Sequence, residues 1–209
     1  MNAADLRGAL AKVSAVMAQN RDYLVELDQQ NGDGDLGISM DNGFKAVSDY
    51  LQGTDETNLG ALLMRASGIF NEKAPSTLGT ITSFMMVGMA QTLKGKQSAT
   101  LEEVARAFAA GNEKIMQRAG SKREEKTILD ALGPAADALE QYAGGGDWRA
   151  AFSAAAEAAR DGSERTRYML SVHGRAAYYG EKSLGVIDGG SVVGRLLFEA
   201  LRDYICDRT

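Results

Sequence analysis

Only one cysteine, one histidine, one tryptophan and two prolines occur among the 209 residues. A lone cysteine, Cys206, excludes an internal disulfide and suits a reducing compartment. Scarce proline leaves helices uninterrupted. Missing too is any apolar run near the roughly 18–20 residues that a membrane-spanning helix needs. Asp5, Arg7 and Lys12 interrupt the apolar positions of the first twenty residues, so no secretory leader is expected. Positive charge is short: 23 Lys and Arg stand against 28 Asp and Glu, a net charge of −5. That balance argues against a nucleic acid or an anionic membrane as partner. The expectation is a soluble cytoplasmic protein.

What is present is helical periodicity, in a chain whose 44% apolar content supports a proper core. The spacing predicts a helix from about Ala3 into the low twenties, with Leu6, Leu10, Val13 and Met17 on one face. It continues or restarts through Tyr23, Leu24 and Leu27. Further helices are expected over Met40 to Leu51, Leu59 to Ile69, Ser76 to Lys94 and Lys126 to Ala143. The capping-box pattern from Thr100 to Glu103 opens another, Asp147 caps one reaching about Arg167, and the last runs from Ser191 to Ile205. No segment reads convincingly as a strand. About eight amphipathic helices with short connectors imply an all-α, antiparallel architecture, in a single domain over 1–209. The exceptional connector is 171–190, with five glycines and two tyrosines. Loops this long in compact domains are usually functional or disordered, and its apolar content argues against disorder.

Between Leu27 and Gly37 lie three carboxylates, Asp28, Asp33 and Asp35, and three glycines, Gly32, Gly34 and Gly37. Acids this close repel unless a cation or a hydrogen-bond network holds them. A hard cation such as Mg²⁺ suits a few carboxylates together with phosphate oxygens and water. An EF-hand loop starting at Asn31 requires Gly and Glu where Leu36 and Asn42 stand. The same residues also suit a plain acidic surface turn, so the residues by themselves leave both readings open.

Three stretches carry a family resemblance. They are Tyr23-Leu24…Leu27-Asp28…Gly32-Asp33-Gly34-Asp35…Gly37…Met40…Gly43-Phe44, then Glu125-Lys126-Thr127-Ile128-Leu129-Asp130, then Gly174-Arg175-Ala176…Tyr178…Gly180-Glu181-Lys182-Ser183…Gly185…Asp188…Gly190. In order and spacing, over nearly the whole chain, these resemble the L subunit of dihydroxyacetone kinase. The resemblance implies a barrel of eight antiparallel helices that binds ADP or ATP at one end through two Mg²⁺ ions. It implies Asp28, Asp33 and Asp35 as metal ligands, and Gly37, Ile38 and Ser39 as the turn whose backbone meets the phosphates. Arg175, Asp188, Gly189 and Gly190 fall at positions close to the nucleotide. It also implies a separate K-type subunit that holds the ketose covalently through its own histidine, and in some systems a phosphotransferase-system phosphocarrier that recharges ADP.

The sequence departs from that pattern in one phosphate loop. Asn71-Glu72-Lys73-Ala74-Pro75 stands where the family has a glycine- and serine-rich loop. Lys73 and Ala74 are the candidates there, Lys73 as a cation replacing lost amides. Leu36 stands where a histidine is usual, Ser39 where an asparagine is usual, and Gly189 replaces the proline of the last turn. His173 is expected as a loop residue near the nucleotide, and Cys206 as a packing residue. Tyr178 and Tyr179 are expected either to stack on adenine or to pack their loop on the bundle. The nine methionines are expected to fill the core. Alternatives to a phosphoryl-transfer subunit are a nucleotide-binding relative without transfer and a Mg²⁺-binding helical interaction module. No catalytic residue is assigned.

Overall fold

The computed structural model describes residues 1–208. Nine α-helices run in the order α1 (Ala3–Gln19), α2 (Arg21–Asp28), α3 (Leu36–Gln52), α4 (Leu59–Lys73), α5 (Thr77–Thr92), α6 (Leu101–Ala119), α7 (Leu129–Ala143), α8 (Trp148–Arg165) and α9 (Gly189–Asp207). Short 3₁₀ helices cover Thr166–Tyr168 and Arg175–Ser183. Among the described residues there is no strand, only an isolated bridge between Asn2 and Ser98. The all-α expectation stands.

Where the boundaries differ from the sequence reading, the cause is local. α1 stops at Gln19 and α2 restarts at Arg21, because the Asn20 side chain donates back to the Val16 carbonyl at 2.8 Å. α3 begins at Leu36, a turn earlier than Met40. α4 runs on past Ile69 to Lys73. α7 starts at Leu129 instead of Lys126, because Glu124 and Lys126 hold φ of 67° and 59°, which a right-handed helix cannot contain.

Short connectors reverse the chain at each step. Packing runs from α1 to α3, then through α4, α5, α6, α7 and α8 to α9, and α9 returns against α1. The buried stripe of each helix faces inward. Phe44 and Phe70 meet edge-on at 4.8 Å between centroids, and Phe108 lies 5.0 Å from Phe198. Met17, Met40, Met85 and Met86 fill space between them. α7 and α8 approach through small residues. A Cβ on Gly162 would stand 2.0 Å from the Asp130 carbonyl oxygen. That carbonyl is the one whose helical donor is removed by Pro134, four residues on.

The alternation sorts the helix termini. One end gathers the starts of α1, α4, α6 and α8. It is tied together by the Met1 ammonium on the Ala99 carbonyl (2.8 Å), the Leu59 amide on the Lys96 carbonyl (2.7 Å) and Arg7 on the carbonyls of Leu51, Thr54 and Glu56. The opposite end gathers the starts of α3, α5, α7 and α9. No helix among the described residues is long and apolar enough to cross a membrane.

Candidate functional site

The end where α3, α5, α7 and α9 begin encloses a cavity of about 750 Å³, within the size range of small-molecule sites. Residues from 27–36, 75–81 and 171–176 line it, together with 187–190. A fourth wall, formed by Ser121 and by Lys126 to Ile128, was read from the sequence as the start of a helix. Its signal was available in the sequence as the Glu125–Asp130 resemblance, but helical periodicity masked it.

The acidic loop builds the most charged wall. Asp28 ends α2, and the chain then turns back so tightly that a Cβ on Gly32 would stand 2.2 Å from the Asp28 Oδ1. Gly34, at φ 79°, donates its amide to Asp28 Oδ2 at 2.8 Å. The turn brings carboxylate oxygens of Asp28, Asp33 and Asp35 within 4.8 Å of one another. Burial raises the Asp35 pKa above its ordinary value, and the charges of Asp33 and Asp28 push it further. The one cation on the cluster is Arg175, whose Nη2 lies 2.8 Å from Asp33 Oδ2. An all-oxygen donor set of three carboxylates, offset by a single guanidinium, suits a hard divalent cation, Mg²⁺ above the softer metals.

Helix starts supply the complementary feature. Asp35 precedes α3 without a side-chain cap, and the amides of Leu36, Gly37 and Ile38 have no acceptor among the described residues. Three free donors at a helix start favour an anion. Ser76 caps α5 through the Gly79 amide (3.1 Å), and Asp188 caps α9 through the Ser191 amide (2.6 Å). Burial pushes the Asp188 pKa up to about 7, assisted by Asp130 and Asp28 and opposed by the Ser191 amide and Lys126.

The long connector is held by one buried residue. Lys126 Nζ donates to the carbonyls of Met169 (3.1 Å), Ser183 and Val186 (2.8 Å). Burial lowers its pKa. Asp130 shapes the turn that presents Lys126, accepting the amides of Thr127 (2.7 Å) and Glu124. His173 Nε2 lies 2.6 Å from Glu125 Oε2, tying the connector to the same turn. His173 is thus a cavity-lining residue held by a carboxylate.

Of the residues singled out in the sequence, Asp28, Asp33, Asp35, Arg175, Asp188, Gly189 and Gly190 all line the cavity. Five others do not. Gly37, Ile38 and Ser39 lie in the first turn of α3. A Cβ on Gly37 would stand 2.0 Å from the Arg21 carbonyl oxygen, so this glycine serves close packing of α3 on α2. Ser39 is buried, and Ile38 is exposed without lining the cavity. Lys73 ends α4 with its side chain exposed and paired to Glu72 at 2.8 Å. Ala74 is fully buried, with its carbonyl covered by Gly79. The expected phosphate loop at 71–75 is mostly helix, and Pro75 to Leu78 form the wall instead. Two further corrections concern single side chains. Tyr178 is 91% exposed, which overturns the packing alternative for it and not the adenine-stacking one, and Cys206 is exposed, not a packing residue.

The DAK2 domain family model matches residues 30–203. The chain is 26% identical over 193 residues to the ADP-binding subunit DhaL of the PEP-dependent dihydroxyacetone kinase of Escherichia coli, covering 92% of each. It is 31% identical over 196 residues to an L-erythrulose kinase of Pectobacterium atrosepticum, covering 92% of this chain and 33% of that protein. Among solved structures, the dihydroxyacetone kinase of C. freundii in complex with AMP-PNP and Mg²⁺ superposes with a TM-score of 0.74 at 25% identity, over 94% of this chain and 33% of that one. The chain therefore spans about a third of the length of the last two.

Proposed function

The chain belongs to the DAK2 domain family, and from that premise we propose that residues 1–209 form the nucleotide-binding, phosphoryl-transfer subunit of a dihydroxyacetone-kinase-like system. In this reading it carries Mg-ADP or Mg-ATP in the cavity and passes phosphate to dihydroxyacetone or a related ketose held by a separate K-type subunit in the cytoplasm. A phosphotransferase-system phosphocarrier is a candidate for recharging the nucleotide.

The observation that carries the reading is the convergence of Asp28, Asp33 and Asp35 beside the uncapped start of α3. Phosphoryl transfer asks a protein for positioning and charge neutralisation more than for covalent chemistry. Two Mg²⁺ ions held by the three aspartates would neutralise phosphate charge. The free amides of α3 face the requirement for hydrogen-bond donors, and Arg175 offers a guanidinium fork suited to phosphate oxygens. Lys126 keeps the connector closed over the cavity through its three carbonyl bonds. Among the described cavity-lining residues, His173 is tied to Glu125, and Asp28, Asp33 and Asp35 converge on one another, so neither is offered as the base for a ketose hydroxyl. The purified chain should thus bind nucleotide without phosphorylating free dihydroxyacetone. Calorimetric titration of ADP with and without Mg²⁺, followed by transfer assays with a K-type partner, tests both halves. Equal affinity with and without Mg²⁺ would sink the metal-nucleotide reading.

A nucleotide-binding relative without transfer is the second reading. It is favoured by the conversion of the 71–75 loop into helix, which removes one set of phosphate donors. The assay with a K-type partner separates the two.

A further inference from the structure

Arg175 occupies a position that its phosphate-binding role does not explain. Its guanidinium is spent on Asp33, 2.8 Å away, inside the group of carboxylates assigned to the metal. Gly174 (φ 62°) and Gly180 (φ 52°) flank the segment, and a Cβ on either would meet nothing. Only glycine takes such conformations without strain. Outside this segment the connector is firmly fixed. Lys126 holds the carbonyls of Met169, Ser183 and Val186, and His173 is bound to Glu125. Between Gly174 and Gly180 the Arg175–Asp33 pair is the sole side-chain ion pair or hydrogen bond among the described residues. Ala176, Ala177, Tyr178 and Tyr179 contribute no buried side chain.

We infer that Arg175 is an internal counter-ion for the aspartate triad, displaced from Asp33 when a divalent cation binds and thereby released to the nucleotide phosphates. The inference rests on the metal-nucleotide reading of the cavity. A divalent cation and a guanidinium compete for the charge of one carboxylate. With both side chains partly exposed, at 65% for Arg175 and 42% for Asp33, the pair is weak enough to yield to the metal. In the resting chain Arg175 places a guanidinium against Asp33 within the carboxylate cluster. Once freed, the same fork meets phosphate, so metal binding and nucleotide binding reinforce each other through the 174–180 segment. Arg175 thus positions the segment as well as contacting the ligand.

The test uses the whole chain and Mg²⁺ alone as first probe. Arg175→Ala should bind Mg²⁺ about two- to fivefold more tightly than the parent, the range that a partly exposed ion pair supports. Mg-ADP should bind it more weakly, so the two effects have opposite signs. Lys182→Ala removes a charge from the same connector without touching the triad, and it should leave Mg²⁺ affinity unchanged. By hydrogen exchange, Mg²⁺ alone should speed exchange of amides 174–180 in the parent, and added ADP should slow it again. In Arg175→Ala the segment should exchange fast throughout. If Mg²⁺ binds the parent but Arg175→Ala gains no affinity, or if Mg²⁺ leaves exchange of 174–180 unchanged, the displacement is wrong while the metal site stands. If neither parent nor variant binds Mg²⁺, the metal reading fails and the inference falls with it.

Discussion

At the end of the bundle where α1, α4, α6 and α8 begin, every helix caps itself. Asn2, Asn58, Thr100 and Asp147 each accept an amide of the first turn, and the two capping boxes answer with Asp5 and Glu103. At the opposite end α3 begins uncapped beside three converging aspartates, non-glycine residues hold positive φ, and a lysine is buried. Both ends face the same backbone problem, four donors per helix start without intrahelical partners. The far end solves it within the chain and contributes stability. The cavity end caps α5 and α9 but leaves the starts of α3 and α7 without a side-chain cap, beside clustered carboxylates, which is the mark of a surface completed by a ligand.

The contrast is most sharply tested by Asp33→Asn. Outer-shell partners of a bound metal are worth about 10–100-fold in affinity, and loss of a direct ligand should cost at least as much. Mg-dependent ADP affinity should fall accordingly while the thermal midpoint stays near that of the parent. Unchanged affinity by calorimetry would remove the triad from the site.

Lys126→Met probes a cavity-end residue with a structural role. Three carbonyls lose their donor, at a cost of about 1–3 kcal/mol. Hydrogen exchange should speed up across 169–187 with little change in the far half. Uniform loss of protection would mean Lys126 supports the whole bundle.

A far-end change should do the reverse. Asp147→Ala removes the α8 cap and should cost about 1 kcal/mol by urea denaturation, with nucleotide affinity unaltered. Altered ADP binding would show the two ends to be coupled.

Asp188 adds a pH signature peculiar to the cavity end. Its folded pKa of about 7 lies above the ordinary 3.8, so between those values the folded chain retains a proton that the unfolded chain has released. Stability from this group is therefore full at low pH and is lost as pH rises through that window. Asp188→Asn keeps a capping side chain and should flatten the decline between about pH 4 and 7. A parallel decline in parent and variant would assign it to other groups.

The smallest effect is expected at Lys73. Exposed and paired only to Glu72, it should change Mg-ADP affinity less than about twofold when replaced by alanine. A salt-dependent loss would return the 71–75 segment to the site.

The sequence by itself determined the helical character, the self-capped starts at Thr100 and Asp147, and the convergence of three aspartates in one loop. These are local quantities: apolar spacing, a hydroxyl or carboxylate three residues before an amide, glycines where the chain must turn. It also marked Arg175 and Asp188, through a resemblance carried by residue identity and spacing. What only the tertiary structure decided is which of those residues share a cavity. Gly37 reads only as a phosphate-loop glycine until the Arg21 carbonyl is seen against it, which gives the same glycine a packing role as well. Lys73 reads as a substitute cation until α4 is seen to carry it outward. Lys126 reads as the first turn of a helix until Asp130 bends the chain and buries its ammonium under the long connector. For Gly37 and Lys126 the deciding contact joins separate segments of the chain. Periodicity records only which face of a helix is buried, and the packing of the other helices determines what lies against it.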